Sequence, residues 1–151
     1  MSVKKKCKKK NWRENAKKYI EKNKNKKDAK WHTVNFLIKN KNYGVEKRTK
    51  IKDIIIYLES KGFKLERAVF QNKVLIPLKM AGVLAVLVYP GKSGGVFIPC
   101  GEEDIKLVVI QVIGRICSEL KNIKSCTENT SLHKSISMLT DVTVFIKEII
   151  K

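Results

Sequence analysis

The stretch from Arg48 to Pro99 limits the possible folds more than any other part of the chain. Ile51, Ile54, Ile55 and Leu58 recur at helical spacing, with Ile56 and Tyr57 widening the stripe, and the run stops at Gly62. After Phe63 and Lys64 a second periodic segment runs from Leu65 toward Gly82, with Phe70, Val74 and Leu78 four residues apart. Two β-rich runs follow, Val83–Tyr89 and Val96–Pro99, joined by Pro90-Gly91-Lys92-Ser93-Gly94-Gly95. The predicted order is helix, tight turn, helix, strand, basic glycine loop, strand. Gly62 suits the left-handed position that closes a helix, and the loop glycines permit a hairpin tip. Pro77 removes one backbone hydrogen bond inside the second helix, so a kink or break is expected near Leu75.

Upstream, Trp12, Ala16, Tyr19 and Ile20 predict a short amphipathic helix over 11–24. Asp28 is placed to cap a helix over 29–40, whose apolar face is Trp31, Val34, Leu37 and Ile38. Val45–Lys47 is expected to pair as an edge strand, and Thr49 to cap the helix that follows. Downstream, Glu102, Glu103 and Asp104 sit at the positive end of a long apolar helix reaching about Asn122. A last helix over 132–150 carries Ile136, Leu139, Val142, Ile146 and Ile149.

Charge divides the chain. Residues 1–30 hold 14 Lys/Arg against 3 Asp/Glu, a net of +11; residues 31–100 hold 12 against 4, a net of +8. Residues 101–151 hold 7 of each, a net of zero. The first two-thirds is the part expected to meet a polyanion, and the last third is expected to do something else. There is no apolar run of 18 residues and no apolar signal core after the basic N-terminus, so a membrane role is not expected and an intracellular, cytoplasmic setting is. Cys7, Cys100, Cys117 and Cys126 lack metal-ligand spacing and read as free thiols, Cys117 as a buried small hydrophobe.

The segment carrying Gln71, Pro77-Leu78-Lys79, Gly82, Tyr89-Pro90-Gly91 and Gly94-Gly95-Val96-Phe97-Ile98-Pro99 resembles winged helix-turn-helix DNA-binding proteins over about residues 31–100. The match is one of architecture rather than of a signature motif. The resemblance implies a mainly α fold with a small β-hairpin (α+β), extended by helices at both ends. It also implies that the second helix of the pair is a recognition helix and the glycine-rich hairpin a wing. The expected organisation is a basic arm over 1–27, the winged domain over 28–100, and a helical segment over 101–151.

On this reading the face opposite Phe70, Val74 and Leu78 offers Lys64, Arg67, Gln71, Asn72 and Lys73 to duplex DNA. Arg pairs bidentately with guanine, and Gln or Asn with adenine, in the major groove. Arg67 and Gln71 lie one helical turn apart. The wing offers Tyr89, Lys92 and Ser93, with Lys92 on phosphate, and Arg48 and Lys50 flank the first helix of the pair. The bland alternative is an ordinary solvated helix face, and for any single residue the two weigh equally.

Gly91-Lys92-Ser93 is not a P-loop, because the position five residues before Gly91 is Val86 and a strand follows. No catalytic set, cofactor motif or metal site emerges, so no enzyme is expected. The expected function is sequence-specific double-stranded DNA binding, as a transcriptional regulator or a plasmid or phage replication or partition factor. The alternatives are a protein inhibitor or interaction module that uses the winged scaffold to grip an acidic protein or a nucleoprotein complex, and an RNA-binding protein. Residues 102–151 are expected to form a homodimer interface, the competing reading being that they complete the monomer core.

Overall fold

The computed structural model describes residues 11–87 and 94–150. The lysine run over 1–10 with Cys7, the last two residues of the strand expected to end at Tyr89, and Pro90 to Ser93 lie outside the described residues. The chain forms two compact units, Met1–Gly101 and Glu102–Lys151. Most described residues are helical, and one two-stranded antiparallel hairpin supplies the sheet, so the protein is mainly α with a small β element.

The first unit begins with α1 (Trp12–Lys22) and α2 (Ala29–Lys39). Both start at the side chains that cap them. Asn11 accepts from the Glu14 amide, and Asp28 accepts from the Trp31 amide at 2.9 Å. The Trp31 indole donates to the Ile20 carbonyl at 3.1 Å, joining the two helices. Ala16 of α1 is fully buried in the same core as Val34 and Leu37 of α2, so α1 is an integral part of this unit.

Val45–Lys47 is a 3-10 turn rather than the expected edge strand. Pairing falls instead on its flanks, with Tyr43 bridged to Ile98 and Thr49 to Val96. The physical reason is that Gly44 turns the chain with φ at 82°, so consecutive residues cannot all face the sheet. Contrary to expectation, Thr49 does not cap the next helix. Its backbone is engaged with Val96 in both directions, at 2.9 and 2.8 Å, and Lys50 takes the cap position of α3 (Ile51–Ser60). Within α3, Ile54 and Leu58 are fully buried, whereas Ile56, expected to widen the buried stripe, faces solvent. Gly62 closes α3 with φ at 89°.

The second helical segment is built from α4 (Arg67–Phe70), a π-helical turn (Gln71–Leu75) and α5 (Ile76–Met80). Backbone dihedrals stay helical across both junctions, and the Ile76 amide donates to the Gln71 carbonyl five residues back. Pro77 therefore falls in the first turn of α5, the position in a helix where proline is best tolerated. The disturbance expected near Leu75 takes the form of a changed bonding register, and the chain does not leave the helix.

β1 (Ala85–Leu87) pairs antiparallel with β2 (Gly95–Phe97), with Val86 opposite Val96. β2 is thus flanked by β1 on one side and by Thr49 on the other. Gly95 is required there. A Cβ at this position would come within 2.7 Å of the Thr49 carbonyl oxygen and 3.0 Å of Arg48 Cγ. Phe70, Val74, Leu75 and Leu78 meet Val83, Leu84, Val86, Val96 and Ile98 in one cluster with the buried residues of α1 to α3.

The second unit is a hairpin of α6 (Glu102–Ser125) and α7 (Thr130–Ile150). Asn129 accepts from the Leu132 amide at 3.0 Å to start α7. Lys124 Nζ donates to Ser137 Oγ at 2.7 Å, and Cys117 Sγ lies 2.9 Å from Thr143 Oγ1, which fixes the helices as antiparallel. Cys117 is only half-buried and holds a polar partner, unlike the buried hydrophobe expected. Among the described residues of this unit only Ile113 and Ile136 are buried. Ile116, Ile123, Met138, Phe145, Ile146 and Ile149 remain exposed.

Candidate nucleic-acid interface

The helix from Arg67 to Met80 carries its core residues on one side. Phe70, Val74, Leu75 and Leu78 are buried. Two adjacent buried positions, Val74 and Leu75, reflect the π turn, which inserts one residue more than an α turn holds. Residues midway between successive core positions point away from the core. These are Ala68, Asn72, Ile76 and Met80, all exposed. Gln71, Lys73 and Lys79, also exposed, border this row, and Arg67 and Lys64 lie exposed near its start.

Lys64, Arg67, Gln71, Asn72 and Lys73 are each exposed, Lys64 in the segment before the helix and the others on it. Ala68, Ile76 and Met80 were missed, because an apolar residue in an amphipathic pattern reads as core. The signal that reveals them is their offset of two from Phe70, Val74 and Leu78. Of the flanking candidates, Lys50 is exposed at the start of α3. Arg48 is half-buried and donates to the Val45 carbonyl at 2.9 Å, bracing the 3-10 turn. Tyr89, Lys92 and Ser93 lie outside the described residues.

Among the described residues, the ion pairs join Lys18 to Glu14, Lys106 to Glu103 and Arg115 to Glu119. None of them engages Lys50, Lys64, Arg67, Lys73 or Lys79. From Lys64 to Met80 only Glu66 carries negative charge, so the surface is positive. A second stretch of exposed lysines, Lys17, Lys18, Lys22, Lys24, Lys26 and Lys27, runs along α1 and the turn after it. α1 is tied to the end of the sheet by Arg13, whose guanidinium lies 4.5 Å from the Tyr43 ring centroid and donates to Cys100 Sγ at 3.0 Å.

His32 sits in an aromatic cluster, with ring centroids 5.0 Å from Trp31, 5.5 Å from Phe63 and 6.4 Å from Tyr57. Burial lowers its pKa, and the nearby Lys61 and Lys27 lower it further. Among the described residues no group of three His, Cys, Asp or Glu side chains is placed to hold a metal ion, and no helix is long and apolar enough to cross a membrane.

These elements define a small helical protein with one hairpin and a basic, outward-facing helix. Over 144 residues the chain is 38% identical to a protein of Methanocaldococcus jannaschii named "Putative control protein C.MjaVP", an alignment that spans 92% of this chain and 88% of the relative. The chain belongs to the same family as that control protein. No protein-family model matches it, and no solved structure does.

Proposed function

We propose that the protein is a regulator that binds double-stranded DNA through a winged helix-turn-helix. The observation that carries this reading is the Arg67–Met80 helix, whose outward row is bordered by exposed basic and amide side chains and whose other side lies in a core it shares with the hairpin. The order α2, Tyr43–Thr49 pairing segment, α3, α4–α5, β1, β2 supports the winged architecture, since β2 is paired on both sides. Kinship with a protein named for control supports a regulatory and non-enzymatic role. Arg67, Gln71 and Asn72 read base edges, Lys64, Lys73 and Lys50 contact phosphate, and Tyr89, Lys92 and Ser93 add contacts to the DNA backbone. Arg48 acts mainly by holding the turn that shapes β2.

The protein acts as a homodimer through Glu102–Lys151. Two helices with two buried side chains between them leave most of their apolar surface uncovered, and this unit is the one without net charge. Two copies of the basic unit repel each other least when the contact is made by the neutral one. A two-fold dimer reads two half-sites.

The test is selection of bound sequences from a random duplex pool, with single-stranded RNA as competitor. Enrichment of a repeated or palindromic motif is the expected result. Retention of the RNA with no duplex motif would replace this reading by an RNA-binding one.

A further inference from the structure

The outward row of the Arg67–Met80 helix is chemically mixed in a way that its basic borders do not explain. Ala68, Ile76 and Met80 are apolar, and Asn72 is the single amide among them. Ile76 is 40% exposed and Met80 84% exposed. Among the described residues of the first unit three large apolar side chains are so exposed, and two of them lie on this row, the third being Ile56 of α3. Leaving them in water has a cost that a partner surface offsets. The borders restrict that partner. Arg67, Lys73 and Lys79 flank the row and only Glu66 opposes them, which favours a polyanion over a second copy of the same basic unit.

The major groove offers a polyanion with apolar groups inside it. The thymine 5-methyl is the apolar feature of that groove, and the adenine paired with it presents an acceptor and a donor that an amide side chain matches. We propose that this helix reads A·T base pairs, with Ile76 and Met80 packed on thymine methyls and Asn72 on adenine. The inference rests on the duplex-DNA reading above and adds the class of sequence recognised. The π turn contributes to it directly. With the Ile76 amide bonded to Gln71, the row Ala68, Asn72, Ile76, Met80 stays opposite the buried Phe70, Val74 and Leu78, and no core residue interrupts it.

The experiment uses the full chain and a duplex recovered from the random pool, prepared once with thymine and once with deoxyuridine at every thymine position. Base pairing is the same in both, and only the methyl groups differ. The expected result is weaker binding of the uridine duplex, by about fourfold for each methyl contacted. The double variant Ile76→Ala, Met80→Ala should keep its helical circular dichroism, because both side chains are exposed. It should bind the two duplexes equally. Equal binding of both duplexes by the unaltered protein would overturn the proposal while leaving DNA binding intact. A uridine effect that persists in the double variant would also overturn it, as would a change of oligomeric state in that variant. Recovery of no duplex at all would overturn the DNA-binding reading and this inference with it.

Discussion

Gly95 shows how one residue fixes the shape of the first unit. The backbone of Thr49 passes so close to β2 that a methyl group at residue 95 would meet the Thr49 carbonyl at 2.7 Å. That carbonyl is held by the Val96 amide at 2.8 Å and has little freedom to move. Gly95→Ala should therefore cost about 1–3 kcal/mol, the usual range for overpacking a tight site, measured by urea denaturation. His32 makes a different prediction. Its neutral form is favoured in the folded protein, because burial among aromatic rings and the nearby Lys61, Lys27 and Lys39 disfavour its charge, with Asp28 opposing them. A folded pKa below the ordinary value of about 6.5 means that the unfolded chain takes up the proton first as pH falls. The stability contributed by neutral His32 is thus complete above that value and is lost as pH drops through the folded pKa. Unfolding measured at about pH 5 and about pH 7.5 should show a smaller pH dependence in His32→Phe than in the unaltered chain.

At the scale of elements, the π turn and Pro77 depend on each other. Deleting Asn72 would restore ordinary α spacing between Phe70 and the later core residues, but it would also place Pro77 inside an uninterrupted helix. The deletion alone should then cost about 3 kcal/mol or more, and Pro77→Ala should recover most of it, whereas Pro77→Ala in the full-length chain should change stability little. A thermodynamic cycle over these variants measures the coupling. This pairing also explains what the sequence disclosed and what it hid. The spacing of Phe70, Val74 and Leu78 and the cap at Asp28 made the helices legible, since both are local signals. The π turn was not legible, because Val74 and Leu75 side by side look like any apolar pair. Nor was the failure of Val45–Lys47 to form a strand, which depends on where β2 lies in space. For the candidate interface, the charged and amide residues were legible from composition. Ile76 and Met80 were hidden because apolar residues are assigned inward until a structure shows otherwise.

At the scale of the whole molecule, the helical hairpin invites a direct test of self-association. Phe145 is 66% exposed on α7, and Ile146 beside it is partly exposed. Phe145→Glu and Ile146→Glu should each give a folded monomer in sedimentation, where the unaltered chain should sediment as a dimer at roughly tens of micromolar. A wild type that stays monomeric there would remove the dimer from the proposed function. The partition of charge has a further consequence. All of the net +19 lies in the first unit, so that unit repels itself in free solution, while the neutral hairpin does not. A bound polyanion cancels that repulsion, and ligand present at about a hundredfold over its Kd adds about 2.7 kcal/mol to the stability of whatever binds it. Copies seated on a polyanion should then resist limited proteolysis better than free copies do.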